Sequence, residues 1–89
     1  MKKEFIVTAE YGIHARPAKR LVDLAMTFDA EIFIEALKKE VNLKSIMGLM
    51  SLGIYKGEKV LITADGHDAK RALDAIELFI VNENLGTLL

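Results

Sequence analysis

The sequence predicts an α+β fold, an open-faced two-layer sandwich in which a four-stranded antiparallel sheet is covered on one face by three helices. Two patterns point there. Four stretches alternate apolar and polar residues with the period of a half-buried strand, and three others carry their apolar residues in a stripe at helical spacing. The third observation is length: 89 residues suffice for one domain with one core, so strands and helices that each bury a single face must bury it against one another.

Glu4 to Ala9 reads as the first strand, with Phe5, Val7 and Ala9 on one face and Ile6 and Thr8 on the other. The period changes at Pro17, a residue type suited to the start of a helix. Ala18, Leu21, Val22, Ala25 and Phe28 then recur at helical spacing opposite Lys19, Arg20 and Asp23, which predicts a first helix from Pro17 to about Phe28. Ile32, Ile34 and Ala36 alternate with Glu31, Phe33 and Glu35 as a second strand. A turn at Lys38-Lys39-Glu40 leads into a short third strand, Val41-Asn42-Leu43. Ser45 is placed to N-cap a brief helix over Ile46 to Leu52, and Gly53 to stop it. After a turn at Lys56-Gly57, Val60, Ile62 and Ala64 form the fourth strand, closed by Asp65-Gly66. The last helix spans about Asp68 to Asn82, capped by Asp68, with Ala69, Ala72, Leu73, Ile76 and Ile80 inward. The order is βαββαβα in a single domain over residues 1–89, with no repeat, linker or low-complexity segment.

Composition removes several classes of function. A formal net charge of −1 lacks the basic excess of a nucleic-acid binder, so no direct nucleic-acid partner is expected. A small module reading RNA or a metabolite on the open sheet face would want aromatic and basic residues there; that face offers Phe33 with Glu31 and Glu35, and Ile6 and Leu61 beside it. There is no cysteine, which excludes a disulfide framework or a CxxC site and suits a reducing cytoplasm. No stretch approaches the ~20 apolar residues of a membrane span, and the residues after Lys2-Lys3 lack the long apolar run of a signal peptide, so no membrane insertion is expected. Lys56-Gly57-Glu58-Lys59 lacks the first glycine and the final Ser or Thr of a phosphate-binding P-loop. His67 lies in a turn with no second histidine at ligand spacing, so no metal site is expected. Nor is a cofactor.

Two positions carry chemistry. In Gly12-Ile13-His14-Ala15-Arg16-Pro17-Ala18, His14 sits where a strand hands over to a helix, whose first N–H groups are free and whose end favours anions. Histidine suits transient phosphate, because its neutral ring is a nucleophile and its phosphorylated ring a good leaving group. The amides of Ala15, Arg16 and Ala18 are placed to hold phosphate oxygens, and the Arg16 guanidinium to offset charge during transfer. The second position is Ser45, beside Lys44 at the start of the brief helix, where an added phosphate would meet favourable charge without unfolding the chain. Ile46, Met47, Leu49, Met50 and Leu52 are too many apolar side chains for one short helix to bury. A docking patch of Ile46, Met47, Leu49 and Met50 is therefore expected.

These strings, with Asn42-Leu43-Lys44-Ser45-Ile46-Met47-Gly48-Leu49-Met50-Ser51-Leu52-Gly53, closely resemble the HPr family in its Gram-positive form, the histidine-containing phosphocarriers of the bacterial sugar phosphotransferase system. The resemblance extends over nearly the whole chain. It implies strand order 1-4-2-3 and a cytoplasmic carrier that is not itself an enzyme. It implies that Nδ1 of His14 takes phosphate from enzyme I, charged from phosphoenolpyruvate, and passes it to enzyme IIA domains for sugar uptake. It also implies that Ser45 is the target of HPr kinase/phosphorylase and that the modified form is a corepressor for the catabolite control protein.

The chain departs from that pattern in three places. Where the family usually has threonine after Ala18, this chain has Lys19-Arg20, which predicts extra electrostatic steering of acidic partners toward the first helix. The turn after the second strand usually carries glycine and here reads Ala36-Leu37-Lys38-Lys39, which puts its geometry in doubt. Leu78-Phe79-Ile80-Val81 is more apolar than usual, consistent with a more deeply tucked helix or with self-association. The alternative function is a non-catalytic regulatory or interaction module acting mainly through Ser45.

Overall fold

A computed structural model describes residues 1–89 and orders them as β1 (Lys2–Val7), α1 (Ala15–Ala25), β2 (Glu31–Ala36), β3 (Lys39–Asn42), α2 (Ile46–Ser51), β4 (Lys59–Asp65), α3 (Ala69–Asn82) and β5 (Gly86–Leu88). All strand pairs are antiparallel and lie in the order β3-β2-β4-β1-β5. The first four strands keep the 1-4-2-3 neighbours. The fifth corrects the four-stranded sheet expected from the sequence, and its cause lies just past α3. Asn84 takes a left-handed φ of 56°, Leu85 donates back to the Ile80 carbonyl at 2.9 Å, and the chain is returned along β1, pairing Gly86 with Val7 and Leu88 with Phe5. A Cβ on Gly86 would stand 2.5 Å from the Ile6 carbonyl oxygen, so only glycine lets β5 come this close.

Twenty-four buried apolar residues form one core between the sheet and the helices. Phe5, Ile32, Ile34 and Ile62 supply it from the strands, and Leu21, Leu73 and Ile76 from α1 and α3. Ile6, Phe33 and Leu61 lie half-exposed on the uncovered face, as their alternation predicts. Two element boundaries move. β1 ends at Val7, where Thr8 and Ala9 turn away to bond the Leu85 carbonyl at 2.9 and 3.2 Å. α1 starts two residues before Pro17, whose missing N–H costs nothing in the first turn, and loosens after Ala25 into i−3 bonds from Thr27 and Phe28.

The β2–β3 turn is tighter than expected. Ala36 pairs with Lys39, leaving Leu37 and Lys38 as a two-residue loop, with φ values of 52° and 67°. Two successive left-handed residues match the right-handed twist of a hairpin but suit Asn-Gly far better than Leu-Lys. β3 accordingly begins at Lys39 and not at Val41.

Asp68 is the one buried charged residue, and it stands at the N-cap of α3 as expected but makes no side-chain capping hydrogen bond. Its carboxylate instead accepts the amides of Asp29 and Ala30 at 2.9 and 2.8 Å, pinning the α1–β2 loop to the start of α3. Those amides, Asp29's above all, hold its carboxyl below the usual carboxylate range. Across the sheet, Lys3 on β1 joins Glu77 and Asp74 on α3, and Glu77 first among them holds the ammonium above its usual value.

Candidate functional site

The loop that delivers His14 is fixed from below. Gly12 has φ 64°, and a Cβ there would fall 2.1 Å from the Ile54 carbonyl oxygen. That same oxygen accepts the Ile13 amide at 3.2 Å, and the Ile13 side chain is buried. Chain and core together thus place His14 at the N-cap of α1 with extended backbone, φ −87° and ψ −177°. Its ring makes no capping hydrogen bond and is exposed, so the side chain has no structural task at the helix end.

The first amides of α1 divide unequally. Those of Ala15 and Arg16 find no partner in the chain, Pro17 has none, and Ala18 donates to the His14 carbonyl at 3.0 Å. Ala18 is therefore removed from the expected phosphate-holding set, because the helix begins two residues earlier than its periodicity suggests and already uses that N–H. Ala15 and Arg16 remain.

His14 and Arg16 share a cleft of about 250 Å³ with Glu10, Tyr11, Arg20 and Glu83. The Tyr11 ring meets the imidazole edge-on, with centroids 6.4 Å apart and planes at 64°. Arg20 forks onto Glu83 at 2.5 and 3.2 Å while its guanidinium lies 5.4 Å from the centre of the Phe79 ring. Lys19 is held by both oxygens of Asp23 at 2.8 Å. Both added cations thus have a carboxylate partner within the chain. A second depression of about 300 Å³ lies on α3 between Asp74, Glu77, Leu78 and Val81, and contains no histidine. Leu78 and Val81 remain exposed, so α3 is not tucked more deeply at these two positions.

Ser45 N-caps α2, its hydroxyl accepting the Gly48 amide at 3.0 Å. The Lys44 ammonium beside it donates to the Phe28 carbonyl at 2.7 Å. Around this turn Met47 is 82% and Met50 41% exposed, while Ile46 is half-buried against the core. Leu49 is only 2% exposed and is a core residue, a correction to its place in the docking patch: on a six-residue helix one apolar side chain points inward whatever its neighbours do. His67 lies 3.1 Å from Asp29, with Asp68 close by, a neighbour that sequence spacing could not reveal. Glu10, Tyr11 and Glu83 were likewise not singled out from the sequence; Glu83 reaches the cleft only through the packing of α3 against α1.

A nucleophilic ring with no structural bond, two free amides and an unpaired guanidinium form a place where a phosphoryl group can be accepted and given up. The comparisons with known proteins agree with that class. The chain matches the sequence profile of the family described as PTS HPr component, phosphorylation site, over residues 1–82. It belongs to the HPr family, the phosphocarrier proteins of the phosphotransferase system, which are carriers and not enzymes. Its fold superposes on the histidine-containing phosphocarrier protein of a Mycoplasma with TM-score 0.94 and 41% identity, over 97% of this chain and 98% of that one. The phosphocarrier protein HPr of Bacillus anthracis gives 0.83 and 46%, over 89% and 94%. Crh of Bacillus subtilis, a catabolite repression protein solved as a domain-swapped dimer, gives 0.73 and 40%, over 86% and 88%. No helix is long and apolar enough to cross a membrane.

Proposed function

We propose that the chain, acting as one domain in the cytoplasm, carries a phosphoryl group on His14 between enzyme I and enzyme IIA domains. A lone pair of the imidazole forms the N–P bond as the bond from phosphorus to the donor breaks, and that electron pair leaves with the donor. The Ala15 and Arg16 amides hold phosphate oxygens and the Arg16 guanidinium offsets their charge. The observation that carries this reading is that His14 stands at a helix N-cap and caps nothing. Incubation with enzyme I and phosphoenolpyruvate tests it: the wild type gains one acid-labile phosphate and His14→Ala gains none.

Ser45 is the regulatory site in this reading, phosphorylated by HPr kinase/phosphorylase to bind the catabolite control protein, with Met47, Met50 and the edge of Ile46 as the apolar contact. Its support is the string shared with the family and the exposure of the two methionines. A second reading, a regulatory module acting mainly through Ser45, is favoured by the similarity to Crh. Kinase and ATP followed by mass spectrometry test the serine, and modification elsewhere in the chain removes it.

A further inference from the structure

Two carboxylates, Glu10 and Glu83, line the cleft that holds His14 and Arg16, and a phosphoryl group arriving there carries negative charge of its own. Either acid, left uncovered, would repel that group or draw the Arg16 guanidinium away from it. Glu10 faces Lys56 at 3.4 Å. Glu83 is covered more completely. Arg20 contacts it through two hydrogen bonds, and its guanidinium lies over Phe79, one helical turn before Glu83 on the same face of α3. Arg16 stands one turn before Arg20 on α1 and makes no ion pair or side-chain hydrogen bond. Removing Arg20 leaves Arg16 as the guanidinium of this cleft best placed to answer Glu83.

We infer that Arg20 is a positioning residue for phosphoryl transfer: by occupying the Glu83 carboxylate against Phe79, it keeps Arg16 free for the phosphate on His14. Arg20 itself touches neither the ring nor the reacting atoms. The inference rests on the proposed role of His14, and it assigns Arg20 to the interior electrostatics of the site instead of to a partner's surface.

The test is a two-residue cycle read as the second-order rate of His14 phosphorylation by enzyme I and phosphoenolpyruvate, with melting followed on every variant. Arg20→Met keeps an apolar stem over Phe79 and uncovers Glu83, and transfer slows about tenfold, a size expected for one uncovered charge in a partly solvated cleft. The deficit shrinks as salt is raised. Adding Glu83→Gln to Arg20→Met returns the rate to within about twofold of wild type. A double variant as slow as Arg20→Met overturns the inference, since Arg20 would then be acting directly on enzyme I or the phosphate. So does an unchanged Arg20→Met rate, while leaving His14 as the acceptor. A wild-type chain that takes no phosphate removes the reading beneath it and the inference together.

Discussion

Arg16 is the one cation in the His14 cleft with no partner inside the chain, and its removal isolates what charge neutralisation contributes. Arg16→Ala slows transfer from enzyme I by about a hundredfold while leaving the melting temperature nearly unchanged, because the side chain supports no other group. Stopped-flow phosphorylation alongside a thermal melt separates the two effects. Asp68 is the opposite kind of residue, structural throughout. Its carboxyl is held low in the folded chain by the Asp29 and Ala30 amides, so its contribution is complete above the unfolded value of about 3.9 and fades as pH falls through the lower folded value. Asp68→Asn is less stable at neutral pH and loses less on acidification below about pH 4, which circular dichroism across that range checks. Residue identity singled out His14, Arg16 and Ser45 as candidates because each lies in a contiguous string. It could not reveal Glu83 or the true partners of Asp68, which depend on loops brought together from distant parts of the chain.

At the scale of elements, strain and capping are separable. Leu37 and Lys38 occupy two left-handed positions that disfavour side chains with a Cβ, so Leu37→Asn with Lys38→Gly stabilises the protein by about 1–2 kcal/mol in urea unfolding. Ser45→Ala loses the bond to the Gly48 amide and costs about 1 kcal/mol, with the fold retained. The long helices were legible because α1 and α3 each bury an unbroken stripe, Ala18-Leu21-Val22-Ala25 in one and Ala69-Ala72-Leu73-Ile76-Ile80 in the other. α2, at six residues, is too short for its pattern to say which apolar side chain turns inward, and the answer, Leu49, came from packing against the core. The hairpin was misplaced by two residues because nothing in Leu37-Lys38 advertises a primed turn.

For the whole molecule, the decisive arrangement is β1 lying between β4 and β5, with the loop after it folded over Ile54 to present His14. Alternation counted the first four strands, whereas their order had to come from resemblance, since period alone says nothing about neighbours. β5, three residues long, had no period to read. Gly86→Val drives a side chain into the Ile6 carbonyl and detaches β5, so amide exchange in residues 86–89 accelerates sharply while β2 and β4 stay protected. Gly12→Ala acts in the loop that follows β1: a left-handed backbone and a 2.1 Å contact with Ile54 cost about 3 kcal/mol or more, and the His14 loop is displaced with them.

Phosphate rides, in this reading, on the unengaged imidazole at the head of α1. Mass spectrometry of the chain after enzyme I and phosphoenolpyruvate decides it: one added phosphate, lost in acid and mapped to His14, is expected. An acid-labile phosphate that persists when His14 is replaced by alanine would contradict it.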